Sequence, residues 1–385
     1  MGMKNKQQFG QFFTTNTDYI LAGFADFVYG KCVTDPFAGQ GDLLSWATKN
    51  GAKSVNGYDV DRRLIDNRIV FYNDSLRTPK KYQFVLTNPP YLYQNKLSDN
   101  SILNKSKHTD LYQLALEKIM DSQEGIVIVP INFLSAENSK YIRRMFLEKF
   151  DIIKVNYFTE QVFSDTTYNV IAFYYREKKS NRQSMSVELN IFPERSTKYI
   201  DIHKRYNWQI GGDFLSAVNE FANRLNITRL EEEDLVNGDI QVMLAYNHLN
   251  KVRKFLVDGP TYETLKNNII LLKAIDTGTD RGRICLEDIR KYDCDGLVSI
   301  KTSRNQINLI FPDSVGISEQ ERLIELFNIE LDAKRREYDS LFMTNYRDKG
   351  RKRISFNFAY KFINYLYFNK LKGDKNGIKY KPTLF

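Results

Sequence analysis

Cys32-Val33-Thr34-Asp35-Pro36-Phe37-Ala38-Gly39-Gln40-Gly41-Asp42 runs from an apolar, β-branched start straight into a glycine-rich turn. The residues that follow, LLSWATKN (43–50), read as a helix. A glycine-rich turn between a strand and a helix lets the backbone approach a ligand closely. Further strands are expected at SVNGYDV (54–60), RIVFYN (68–73), QFVLTN (83–88), GIVIVP (125–130), DIIKVNYF (151–158) and YNVIAFYY (168–175). Most are β-branched or aromatic and bounded by Gly, Asp, Asn or Pro. Helical patterns, DLYQLALEKIMDS (110–122) and AENSKYIRRMFLEKF (136–150), lie between them. Strands alternating with helices give an α/β fold with a parallel, Rossmann-like sheet covered by helices on both faces. Such sheets bind ligands past the carboxyl ends of their strands, at the switch point.

Four strand ends carry polar residues suited to a ligand. Asp59 closes the second strand 18 residues after Gly41, near the offset of about 20 typical of a ribose-binding acid. The positions after Gly41 are Asp42, Leu43 and Leu44, so the full dinucleotide fingerprint is missing and a pyrophosphate cradle is disfavoured. A nucleoside without phosphates suits the pattern better. S-adenosylmethionine is such a ligand, with a ribose for the acid, an adenine for an apolar slot and a cationic amino-acid tail. Asp74, after the third strand, suits an exocyclic amine such as adenine N6, or equally the cap of a turn. The fourth strand ends at Asn88-Pro89-Pro90-Tyr91. Two prolines after a buried strand stiffen the loop, because each fixes φ and removes a donor. They display the Asn88 amide and the Pro89 carbonyl as paired acceptors for a planar amine, with the Tyr91 ring to stack on it.

The chain of 385 residues is 42% hydrophobic and 27% charged, ordinary globular usage sufficient for two domains. No run of 18 apolar residues exists and the first residues lack a secretory apolar core, so no membrane association and a cytoplasmic location are expected. Cys32, Cys285 and Cys294 form neither a disulfide framework nor a usable zinc spacing, and with three histidines no metal site is expected. The polar stretch REKKSNRQS (176–184) divides a first domain, 1–180, from an α+β second domain, 181–385. The second holds helical candidates at 207–225 and 318–342, the latter with a Ser318/Glu321 capping box, and strand-like runs at 240–246 and 307–312. The formal charge of +9 is uneven: residues 181–340 carry 22 Lys+Arg against 26 Asp+Glu, and residues 341–385 carry 11 against 2. Aromatic residues interleave with that terminal charge, which implies a folded segment rather than a tail. Arg347, Lys349, Arg351, Lys352 and Arg353 form a basic turn suited to phosphate contacts.

DPFAGQG, YDVD, NDS and NPPY, in this order and spacing, resemble the motifs of S-adenosylmethionine-dependent N6-adenine DNA methyltransferases. Gln11-Phe12-Phe13-Thr14 is similar to the motif that the γ class of that family places before the glycine-rich loop, although Thr15 stands where a proline is usual. The resemblance covers roughly residues 9–175. It implies that Phe13 and Thr14 line the methionine end of S-adenosylmethionine, that Asp35, Ala38, Gly39 and Gly41 form the loop at its amino-acid part, and that Asp59 binds the ribose. Asp74 would take the adenine amine, with Val60 and Leu76 packed on the ring. Asn88, Pro89, Pro90 and Tyr91 would hold a flipped base, with Phe163 as the second stacking aromatic. The implied partner is double-stranded DNA, met by a monomer whose last domain recognises the target, with a cognate restriction endonuclease acting on the same site. The same tetrad is similar to that of N-methyltransferases acting on RNA or on protein glutamine. A catalytically silent DNA-binding specificity subunit is the alternative from another class.

Overall fold

A computed structural model describes residues 16–93, 101–104, 106–163, 169–277, 283–345 and 351–373. The first of two compact units ends at Gly212. Its core is one nine-stranded sheet: β1 (Cys32–Asp35), β2 (Ser54–Asp59), β3 (Val70–Tyr72), β4 (Tyr82–Thr87), β5 (Ser122–Pro130), β6 (Phe150–Phe158), β7 (Val170–Glu177), β8 (Ser184–Phe192) and β9 (Ser196–His203). The order across the sheet is β3-β2-β1-β4-β5-β7-β6-β8-β9. Strands β1 to β5 are mutually parallel. Strand β7 runs antiparallel to both of its neighbours, β5 and β6. The α/β class expected from the sequence is the class found.

Chain order changes direction at β1, which lies between β2 and β4. Right-handed crossovers that move away from β1 in opposite directions leave their helices on opposite faces of the sheet. Central strands therefore need apolar residues on both sides, and β5 shows it: the run Gly125–Pro130 is buried throughout. Helix α1 (Asp42–Lys49) packs Leu43, Leu44, Trp46 and Ala47 inward. Helix α2 (Leu111–Lys118) starts from Asp110, whose side chain accepts the Tyr112 amide. Helix α3 (Lys140–Lys149) carries the buried Arg143, which donates to the carbonyls of Phe133, Ala136 and Asn207.

Residue 180 is not where this sheet stops. Met185, Val187, Leu189 and Ile191 alternate inward along β8, which extends the sheet by pairing parallel to β6. Strand β9 then closes the edge antiparallel to β8. Within the polar run 176–184, residues 178–183 connect β7 to β8, and the Arg143 bond to Asn207 holds the turn after β9 to the same unit.

The second unit, from Asp213, is α+β. It contains a four-stranded sheet ordered β10 (Thr228–Arg229), β16 (Gln306–Ile310), β13 (Ile270–Lys273), β14 (Cys285–Asp288). A three-stranded sheet follows the order β12 (His248–Val257), β11 (Asn237–Tyr246), β15 (Gly296–Val298), and β17 (Thr344–Asn345) pairs with β18 (Lys352–Arg353). The long helix Ile317–Glu337 is capped two residues earlier than the sequence suggests, because the Glu319 carboxylate accepts from the Gly316 amide. Ser318 and Glu321 are not that capping pair. Only Gly212–Asn219 is helical within the 207–225 candidate, where Asn207 and Trp208 take positive φ. The interleaved aromatics do pack: Phe362 meets Phe214, Phe327 and Phe358 at 5.1–5.8 Å between ring centroids. The segment 351–373 is folded.

Candidate active site

Strands β3, β2, β1 and β4 are neighbours and parallel, so Asp74, Asp59, Asp35 and Asn88 follow one another along one edge of the sheet. The glycine-rich loop crosses directly over the end of β2. Ala38 donates its amide to the Tyr58 carbonyl at 2.9 Å, and Gly39 donates to Asp59 Oδ2 at 2.8 Å. That approach depends on Gly57, where an added Cβ would lie 2.6 Å from the Cβ of Ala38. Gly41 takes φ 81° as it leads into α1, a conformation that glycine adopts without penalty. The sequence singled out Gly39 and Gly41 but not Gly57, although its place inside a strand was the available signal.

Both acids are buried. Asp59 is 6% exposed; its Oδ1 accepts from the Asp61 amide, and burial raises its carboxyl above the usual range. Asp35 is 1% exposed and is pushed up to about 7. Burial is the main cause, opposed by hydrogen bonds from Thr87 and from the Phe37 amide, and reinforced by the negative Asp59. Its Oδ1 accepts from Thr87 Oγ1 at 2.6 Å and from the Phe37 amide at 2.9 Å. Thr87, fully buried and missed in the sequence, thus links β4 to β1 one residue before Asn88.

Asp74 caps a turn, with Oδ1 accepting the Leu76 and Arg77 amides at 3.2 Å and Oδ2 lying 3.3 Å from Arg77 Nε. Val60 is exposed, whereas Leu76 packs against Leu103, Leu111 and Leu114. Asn88 and Pro90 are half-buried and Pro89 is buried. Tyr91 is 2% exposed, its hydroxyl set between the Ile128 carbonyl, 2.8 Å away, and the Asn88 amide oxygen. Its ring meets Tyr112 edge-on at 6.4 Å. The loop beyond is anchored by Asp110, which accepts the Leu92 amide at 3.2 Å, another interaction that sequence reading did not find. Phe163 is buried. Phe13 and Thr14 lie outside the described residues.

The donor set is distinctive in its sign. Asp35, Asp59, Asp74 and the Asn88 carbonyl offer acceptors, which fit an ammonium, ribose hydroxyls and an amine, and oppose a phosphate. Residues 40–163 match the Eco57I restriction-modification methylase family. That segment contains Asp59, Asp74, the Asn88–Tyr91 tetrad and Phe163. No curated protein sequence matches the chain. Among solved structures, a modification subunit attributed to a type I restriction enzyme of Vibrio vulnificus YJ016 is 18% identical, with 56% of this chain and 54% of that one covered and a TM-score of 0.39. The type I restriction-modification methyltransferase subunit of Streptococcus thermophilus is 17% identical, with 47% of each chain covered and a TM-score of 0.34. The type IIG restriction endonuclease BpuSI is 12% identical, with 84% of this chain and 46% of that one covered and a TM-score of 0.37. The chain spans about half the length of these proteins.

The basic turn is placed only in part, because Arg347 and Lys349 lie outside the described residues. Lys352 is 5% exposed and its amine is lowered to about 8, chiefly by burial. Arg351 donates from Nε to the Asp276 carbonyl at 2.8 Å, and the Lys352 amide donates to Asp276 Oδ2. Lys352 is thus part of the packing of the second unit. Among the described residues, no helix is long and apolar enough to cross a membrane, and no three His, Cys, Asp or Glu side chains are grouped to hold a metal.

Proposed function

We propose that the first unit is an S-adenosylmethionine-dependent methyltransferase acting on N6 of a flipped adenine in duplex DNA, of the γ class, and that the second unit recognises the target. The observation that carries this reading is the row of acceptors Asp59, Asp35 and Asn88 on adjacent strand ends, with the tetrad inside the segment that matches a methylase family. Buried carboxylates that need a cation fit the ammonium of the cofactor's amino-acid end, and Asp59 fits its ribose. When bound, the cofactor supplies an electrophilic methyl already activated by the sulfonium charge.

The protein's own part is positioning. A duplex adenine is shielded in the stack and must be extruded at a cost of a few kcal/mol. Stacking on Tyr91 and Phe163, at roughly 1–3 kcal/mol per ring, offsets that cost. In this reading Tyr91 leaves its buried seat on Ile128, and Asn88 exchanges the tyrosine hydroxyl for the amine. Asn88 Oδ1 and the Pro89 carbonyl accept both N6 hydrogens, which favours a pyramidal nitrogen as positive charge develops. A cognate endonuclease as partner, and binding of DNA as a monomer, belong to the same proposal.

The test is methyl transfer from labelled S-adenosylmethionine onto duplex DNA, RNA and protein, followed by analysis of the modified product. N6-methyladenine in DNA is expected. Label on RNA or on protein glutamine would replace the substrate, and cofactor binding without transfer to any of them would leave a silent specificity subunit.

A further inference from the structure

We propose that Thr87 is a positioning residue that couples the cofactor loop to the target-amine loop, so that the geometry of one sets that of the other. The inference rests on the proposed function, specifically on Asp35 facing the cofactor and Asn88 facing the amine. Asp35 is the last residue of β1 and Thr87 the last of β4, and these strands pair through Val33–Phe84 and Thr34–Val85. The Thr87 hydroxyl donates to Asp35 Oδ1 across that pair at 2.6 Å, with both side chains buried. On the β1 side the same oxygen accepts the Phe37 amide and so fixes the start of the glycine-rich loop. On the β4 side the next residue is Asn88. One buried hydrogen bond therefore spans the switch point at the roots of both loops.

A hydrogen bond to a carboxylate strengthens as the carboxylate gains full charge. A cation arriving at Asp35 favours that charge, tightens the Thr87 hydrogen bond and steadies the residue that precedes Asn88. By linkage the effect is reciprocal, so an ordered Asn88 loop favours the cofactor as well. A threonine that merely filled space would give none of this.

The experiment uses the full chain with Thr87→Val, which keeps shape and removes the donor, and Thr87→Ser, which keeps the donor. Calorimetry gives S-adenosylmethionine affinity, and single-turnover transfer onto duplex DNA gives the rate with both ligands saturating. Thr87→Val should weaken cofactor binding several-fold and slow transfer roughly 10- to 100-fold, the scale of removing one hydrogen bond to a charged group. Thr87→Ser should restore both to within about threefold. Thr87→Cys, a weaker donor, should fall between them, and it serves if the valine variant does not fold. Wild-type affinity and rate in Thr87→Val, or in Thr87→Cys where the valine variant does not fold, would overturn the proposal even if melting temperature changed. An inactive wild-type chain would instead refute the methyltransferase reading itself.

Discussion

Replacing Asp35 by Asn should make the stability of the first unit far less sensitive to pH. Burial pushes the carboxyl up to about 7 in the folded protein from an ordinary 3.8. Below the lower value both states hold the proton and nothing is gained or lost. Between the two values the folded protein keeps a proton that the unfolded chain releases, so stability falls as pH rises, and above about 7 the full cost is present. At about 1.36 kcal/mol per pK unit, the ionised group costs the folded state about 4 kcal/mol at pH 8. Between pH 5 and pH 8 the variant should therefore gain on the wild type by about 3 kcal/mol. Any fixed loss from fitting the amide is the same at every pH and cancels from this difference. Urea unfolding can be followed by fluorescence, because both tryptophans, Trp46 and Trp208, are buried in the first unit. A gap between variant and wild type that stays constant from pH 5 to pH 8 would show that Asp35 ionises normally. Asp35 would then not be a buried carboxylate awaiting a cation.

Asn88→Ala should abolish methyl transfer while S-adenosylmethionine affinity stays within a few-fold; near-normal turnover would refute the role given to the tetrad. Asp59→Ala should weaken cofactor binding by roughly 1.5–3 kcal/mol, the scale of a hydrogen bond to a charged group, and calorimetry showing no change would remove Asp59 from the site. Replacing Arg347 and Lys349 by Gln, with the buried Lys352 and the half-buried Arg351 and Arg353 left intact, should weaken binding to all DNA sequences alike. The slope of log affinity against log salt should shrink by about 0.9 for each phosphate no longer neutralised, and an unchanged slope would place the DNA-facing surface elsewhere.

The sheet and its strand-end residues were legible because they leave strong local marks. An apolar run such as GIVIVP (125–130) followed by a helical pattern has few alternative readings, and Asp35, Asp59 and Asn88 each sit where such a run ends. What escaped was decided by pairing between distant segments. Strand β8 alternates cleanly, but nothing local says that it pairs with β6 rather than opening a new domain. Thr87 is an ordinary strand residue until β1 is placed beside β4. Gly57 gains its meaning only from the loop that lies on it. Lys352 reads as surface charge within a basic run, and only its pairing opposite Asn345 and its bond to Asp276 put it inside the fold.

Folding alone gives no reason to bury Asp35 beside Asp59. An apolar residue at the end of β1 would pack without the cost of desolvating a carboxylate, and two neighbouring acids repel each other. The donors supplied to Asp35 and Asp59, among them Thr87 and the Phe37, Gly39, Val60 and Asp61 amides, lower that cost without removing it, since both carboxyls remain raised. The arrangement makes physical sense when a ligand carrying positive charge and hydroxyl donors completes it. Under the proposed function, such a site is held short of its own stability optimum and the bound ligand contributes what is missing.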